Sequence, residues 1–363
     1  MPLNVLACIS LLIWLYLVFA RGWFWRVSKH LAPSGLPRTK GKHVIVVIPA
    51  RDEAAVIGTT VASLVQQGVR VLVVDDNSTD GTGAVARSAG AEVITGKALE
   101  PGWSGKLWAL SQGVLEAGKH NPDYLLFTDA DITHDPHSIE ELVNIAEAGK
   151  YDLVSFMVKL ACNTAAEKAL IPAFVFFFFM LYPPRKTAGA AGGCILIRTD
   201  ILRRIGSLSA IRREVIDDCA LARAVAKNGG RVWLGLTDRT QSTRPYNTFA
   251  EVVRMISRTA FNQLHHSGFL LLGTIAGLIL TYLLPPALLI TGRAIPMILG
   301  GITWLLMTIA YLPMVRFYKR SPLWSLSLPL TALFYMGATL HSAVQYWTGR
   351  GGLWKGRIQD VRG

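Results

Sequence analysis

The sequence predicts an α/β chain: a doubly wound, nucleotide-binding domain with an N-terminal membrane anchor and C-terminal transmembrane helices. Three observations predict it. Short apolar runs alternate with helix-length segments between residues 43 and 235, the rhythm of a parallel sheet covered on both faces. Three of those runs lead into acidic turns, at Glu53, at Asp75 with Asp76, and at Asp129 with Asp131. The carboxyl ends of strands are where open α/β sheets bind ligands. Finally, uncharged stretches at 3–20, 268–291, 294–315 and 321–347 each approach or reach the roughly 20 apolar residues that cross a bilayer.

Taken in order, residues 1–21 read as an anchor. They lack a basic leading region and a small-residue cleavage site, and Arg21, Arg26, Lys29 and His30 follow at once, so an uncleaved span fits better than a removed signal. The positive charge after it places 21–267 in the cytoplasm of a multi-pass inner-membrane protein, with the N-terminus outside. Residues 22–42 form a linker rich in turn residues. Strands are expected at 43–50, 71–74, 91–95 and 124–128, and helices at 53–67, from Thr79 onward, and at 104–117.

The second half changes rhythm. Residues 164–184 hold an aromatic run broken by Pro172, which fits either a helix lying in the membrane interface or a core helix. A Gly-rich loop enters a strand at 188–197, a short helix covers 217–227, and a last strand covers 231–234, closing a domain of 43–240. An interfacial helical segment at 241–267, two to three spans within 268–347 and a basic tail at 348–363 complete the order. With three spans the tail would lie outside, yet it carries Arg350, Lys355, Arg357 and Arg362, which prefer the inside. Either 321–347 is re-entrant or 268–291, interrupted by Pro285 and Pro286, does not fully cross.

Composition narrows the partners. Net charge is +13 and 51% of residues are hydrophobic. No basic helix with interleaved aromatics marks a nucleic-acid reader, and anionic lipid at the cytoplasmic face accounts for the charge. Cys8, Cys162, Cys194 and Cys219 show no CxxC spacing, so neither a zinc site nor a disulfide framework is expected.

Asp129 and Asp131 offer two hard-oxygen ligands to one side of a turn. That chemistry suits Mg²⁺ or Mn²⁺, and those ions suit a nucleotide diphosphate. A solvated turn after a strand is the plain alternative for the pair alone. With the turns at Glu53 and Asp76 on the same edge, a shared ligand crevice becomes the better reading. His134 and His137 follow the pair closely and are either further ligands or surface residues. Asp217 and Asp218 open a helix, where they either cap a positive N-terminus or serve chemistry.

These motifs resemble the family 2 glycosyltransferases of the GT-A fold. The resemblance rests on the stretch from Ile48 to Glu53, on Asp75, Asp76, Asn77, Ser78, Asp80, Gly81 and Thr82, on Gly105 with Lys106, and on Asp129 with Asp131. The order of anchor, catalytic domain and C-terminal spans is similar to the membrane subgroup that includes ceramide glucosyltransferases. The stretch Pro101 to Lys106, the stretch Val215 to Ala222, and Arg244, Pro245 and Tyr246 resemble bacterial hopene-associated glycosyltransferases. The resemblance implies that Asp76 binds the nucleobase, that Glu53 and the Pro49 and Ala50 backbone frame a uridine, and that Lys106 meets the donor phosphates. It further implies that Asp129 and Asp131 hold the ribose and the metal-bound diphosphate, and that Asp218, beside Asp217, is the general base of an inverting transfer to a hopanoid or other polyisoprenoid lipid.

Two departures bear on detail. Processive relatives carry Q-x-x-R-W, whereas 254–259 here lacks Trp and leaves only Arg258 for the diphosphate. The usual Glu-Asp pair is Asp217 and Asp218. A nucleotidyltransferase would also need acids and metal, but 49–54 is no Gly-rich triphosphate loop. A scaffold or transporter would put ionisable groups inside spans, where His341 and Arg293 are nearly the only candidates. The C-terminal Trp354, Lys355, Gly356 and Arg357 resemble a tail motif of lipid glycosyltransferases, and equally a basic tail for anionic lipid.

Overall fold

Every residue of β1, Val44–Ala50, is buried, because the strand lies mid-sheet with helices on both faces. Alternation splits its side chains. Val44, Val46 and Ile48 pack with Ile57, Val61 and Leu64 of the helix Ala54–Val65. Ile45 and Val47 face Leu107 and Leu110 of the helix Gly105–Gly118. That second helix approaches closely: a Cβ on Gly113 would lie 2.3 Å from Val47 Cγ1, so only glycine lets it seat.

The computed structural model describes residues 2–29, 31, 33, 35, 36, 39, 41–184 and 186–349, and the backbone alone of 353–354 and 357–358. His30 and the side chains of the 354–357 motif lie outside the described residues. The chain divides into two units. One comprises 30–161, 188–244 and 352–363, and the other comprises 1–29, 162–187 and 245–351.

The first unit is an α/β domain on an eight-stranded sheet ordered β3-β2-β1-β4-β7-β6-β8-β5. Its strands are β1, β2 (Arg70–Asp75), β3 (Glu92–Thr95), β4 (Tyr124–Thr128), β5 (Ile132–Thr133), β6 (Leu153–Lys159), β7 (Cys194–Arg198) and β8 (Val232–Ser242). The four strands expected from the first half are present and parallel. In the second half, where the rhythm changes, the sheet becomes mixed: β7 runs antiparallel to both β4 and β6. An apolar run marks a strand but carries no direction, and β7 follows a segment belonging to the other unit rather than a crossover helix. Register does the rest. Ala50 pairs with Asp75, Asp75 with Thr95, and Val47 with Phe127, so the turns after β1, β2 and β4 leave the sheet at one edge.

The second unit is helical. Among the described residues, four of its segments are long and apolar enough to cross a membrane: Pro2–Phe19, Gly268–Leu288, Ala294–Phe317 and Pro322–Trp347. Pro285 and Pro286 do not stop the second of these: a π-helical stretch, Ile279–Leu283, leads into them, and Leu280 O and Thr281 O accept from Ser10 Oγ and Trp14 Nε1, each at 2.8 Å. The helix expected over 164–184 forms as Ala165–Leu181, started by a Thr164 and Glu167 capping box. Phe176 and Phe179 are each 1% exposed, which fits the core-helix alternative. Phe176 packs edge-on against Tyr311, and Phe177 against Tyr282 and Tyr335, so these rings pack against other helices of the same unit.

The last helix, Leu328–Trp347, returns to the residues that precede Gly268. Ser342 Oγ donates to Ser257 O at 2.5 Å and accepts from Phe261 N at 3.0 Å. Tyr346 stacks on His266 at 3.9 Å. His265 and His266 both adopt positive φ in the turn leading to the helix Gly268–Leu278.

Candidate functional site

The turn after β1 is tied to the turn after β2. Arg51 Nη1 donates to Asp76 O at 2.5 Å and lies 3.8 Å from its carboxylate. Thr79 N donates to Asp52 Oδ1, and Thr82 Oγ1 accepts from Glu53 N. Asp76 itself is wholly buried. Gly96 backs it closely, since a Cβ there would sit 3.2 Å from Asp75 O.

On the other side of that edge, Lys106 stands at the start of its helix with Nζ 2.9 Å from Asp129 Oδ1 and 3.5 Å from Asp217 Oδ2. Burial acts to lower its pKa, but the charges of Asp129, Asp217 and Asp218 outweigh it and hold the ammonium well above its ordinary range. Asp217 and Asp218 open the helix Asp217–Lys227. Neither side chain caps it in the usual way. Instead Asp218 Oδ2 accepts from Gly192 N at 2.8 Å and Oδ1 from Cys219 N at 2.6 Å. Burial, together with the neighbouring Asp217 charge, pushes the Asp218 carboxyl up to about 6, against the pull of Lys106 and those two amides. A cavity of about 20 Å³ lies among Pro49, Lys106, Asp129, Gly192, Asp217 and Asp218, with room for little more than one water-sized group.

Asp131 meets a different cation. Arg244, just past β8, donates from Nε to Asp131 Oδ2 at 2.8 Å and from Nη2 to Glu53 Oε1 at 2.6 Å. The expectation that Asp129 and Asp131 face one ion is therefore met differently here, with each carboxylate on its own side-chain cation. Among the described residues no group of three or more His, Cys, Asp or Glu could hold a metal. A pair of carboxylates still fits Mg²⁺ or Mn²⁺, which take one or two protein carboxylates and complete their shell from phosphate and water.

Pro49, Ala50, Glu53, Asp76, Lys106, Asp129, Asp131, Asp217 and Asp218 thus share one edge of the sheet. Arg258 belongs to the helical unit, at the C-terminal cap of the helix Phe249–Ser257. His134 is not a surface residue. It is 4% exposed, shares hydrogen bonds with Thr128 Oγ1 (3.0 Å) and Ser138 Oγ (3.4 Å), and burial pushes its imidazole down to about 3. Thr128 donates onward to Gly193 O at 2.8 Å, bracing the Asp129 turn against the loop that holds Asp218. Sequence reasoning missed Arg244 and Gly192 as site residues. The only available signal for either was membership of a quoted motif or a Gly-rich loop.

Comparison with known proteins supplies the family context. Residues 45–206 match the family model described as Glycosyl transferase family 2. The 4,4'-diaponeurosporenoate glycosyltransferase of Staphylococcus aureus is 40% identical over 107 residues, so the match spans 28% of this chain and 28% of that relative. The mannosyltransferase of Pyrobaculum calidifontis, solved in complex with GDP-Man and Mn²⁺, shares the fold at TM-score 0.55 with 14% identity, over 94% of this chain and 98% of that one.

Proposed function

Residues 45–206 being a Glycosyl transferase family 2 domain, we propose that this chain is an inverting, metal-dependent glycosyltransferase that moves a sugar from a nucleotide sugar to a membrane-lipid acceptor. The observation that carries the reading is the contact of Lys106 with both Asp129 and Asp217. It joins the acidic turn suited to a donor diphosphate to the acidic pair suited to an acceptor, within one group of side chains.

The chemistry follows from the groups. Breaking the sugar–phosphate bond loads negative charge onto a leaving diphosphate. Lys106 is a buried point charge that stabilises that charge where it develops. A divalent ion held by Asp129 and Asp131 would supply the same kind of stabilisation. Asp218 takes the acceptor proton; its raised affinity for protons makes it a better base than an exposed carboxylate, and the Gly192 and Cys219 amides fix its orientation. As Asp218 takes the proton, the acceptor oxygen bonds to the anomeric carbon on one face while the bond to the nucleoside diphosphate oxygen breaks on the other, so the anomeric centre inverts without a covalent intermediate.

Asp76, Glu53 and the Pro49 and Ala50 backbone frame the nucleobase, which we take as uracil from the family resemblance. The named acceptor of the Staphylococcus aureus relative supports a long apolar acceptor, and a polyisoprenoid such as a hopanoid remains within that class. A carboxylate acceptor would arrive ionised and need no base, so the buried Asp218 favours a hydroxyl. Incubating membranes with radiolabelled UDP-sugars tests the reading. Label in the lipid extract supports transfer, whereas release of free sugar or formation of a nucleotidyl product contradicts it.

The same proposal covers the membrane unit, read as an inner-membrane anchor with the catalytic domain cytoplasmic. Because Ser342 and Tyr346 pack on Ser257, Phe261 and His266, the last helix exits beside the point where Gly268 enters. The segments between them then cross an even number of times. The described helix thus ends on the side of 245–267, the side that the positive-inside preference gives to Arg350, Lys355, Arg357 and Arg362.

A further inference from the structure

Arg244 is pinned before its side chain is considered. β5 pairs with the end of β8, Ile132 opposite Ser242. Thr243 N and Oγ1 both donate to Asp131 O, at 2.8 and 3.0 Å, and Ser242 Oγ reaches Asp131 Oδ2 at 3.4 Å. The Arg244 backbone therefore moves with the Asp131 turn. Its guanidinium forks between Asp131 and Glu53, two acids on different turns of the same edge, and its side chain is still 36% exposed. Asp131 is 8% exposed.

We propose that Arg244 is an internal counter-cation that competes with the divalent ion for Asp131 and, once the ion is bound, turns its charge to the donor diphosphate. This rests on the glycosyl-transfer reading above. The physical reason is the charge count. Among the described residues Asp129 and Asp217 share Lys106, and Asp131 shares Arg244 with Glu53. Asp131 has no other cationic partner among the described residues, and a buried carboxylate left without one is costly. A divalent ion on Asp131 removes that need, and two cations on one carboxylate repel each other. The freed guanidinium has the planar fork that suits a phosphate. Metal and donor then bind as a pair, and the empty site keeps its acids folded without metal. Arg244 is on this account a positioning residue.

The test uses the full-length protein in detergent, with Mn²⁺ alone followed by paramagnetic resonance, and UDP with Mn²⁺ followed by calorimetry. Arg244→Gln should bind Mn²⁺ alone at least about tenfold more tightly than wild type and bind UDP with Mn²⁺ more weakly. Arg244→Lys, which keeps the charge but not the fork, should fall between them and guards against a variant that fails to fold. Mn²⁺ affinity unchanged or reduced in folded Arg244→Gln, with the lysine variant like wild type, overturns the competition. Failure of both wild type and Arg244→Gln to bind Mn²⁺ at all overturns instead the assignment of metal to Asp129 and Asp131, and this proposal with it.

Discussion

Lys106 Nζ sits 2.9 Å from Asp129 Oδ1, joining two motifs that are 23 residues apart in the chain. With its side chain only 17% exposed, Lys106 is the cation that lets Asp129, Asp217 and Asp218 share one region. Lys106→Met should cost about 3–5 kcal/mol of stability, the usual result of leaving buried charge unpaired, and should raise the KM for the donor. Lys106→Arg should recover stability better than donor affinity, since a fork replaces a point charge. Thermal unfolding and donor titration check both. A Lys106→Met protein as stable as wild type would show that the three acids are not held by this contact.

The raised Asp218 carboxyl makes a pH prediction. A base must be ionised, so kcat/KM should climb as pH rises through about 6. Asp218→Asn should lose the climb and about 10²–10⁴-fold in kcat. Asp217→Asn removes a like charge, so its rise should move to lower pH while transfer survives. Lys106→Met removes an attractive charge and should move the rise upward. Profiles that ignore Asp217 and Lys106 would separate the rise from Asp218.

His134 contributes through neutrality. Its folded pKa, near 3, lies below the unfolded value of about 6.5. The unfolded chain therefore gains the proton first, and the stabilisation present above about pH 6.5 fades as pH falls toward 3. His134→Gln should cost about 1–3 kcal/mol at pH 7.5 through its lost hydrogen bonds, yet lose less than wild type between pH 7.5 and 5. Mn²⁺ affinity should not change. A variant with the wild-type acid loss, or without Mn²⁺ binding, contradicts the bracing role.

The contact of Ser342 with Ser257 and Phe261 predicts the side of the tail. A reporter fused at Gly363 should read as cytoplasmic. A periplasmic reading would mean that 268–347 crosses an odd number of times.

What could be read in advance follows physical range. The first four strands and their helices were legible because apolar runs and their acidic ends are local features, and parallel pairing follows from short crossovers. β6 and the helix Ser138–Gly149 were missed, and the reversal of β7 could not be read, since direction is set by a partner strand far along the chain. Asp76, Lys106, Asp129 and Asp218 were legible as motifs. Arg244 was not, because its contact with Glu53 spans 191 residues and no local pattern reports such a pairing. The aromatic run at 176–179 left two readings open for a related reason: its composition suits an interface or a core, and the rings that pack on Phe176 and Phe177, Tyr282, Tyr311 and Tyr335, lie more than 100 residues further along the chain.

The most direct test of sugar transfer is lipid mass spectrometry of cells carrying the wild-type chain, the Asp218→Asn chain or neither. The wild type should yield a lipid heavier by one hexose that both other strains lack. Identical lipid profiles in the three strains, with both proteins present in the membrane, would contradict the account.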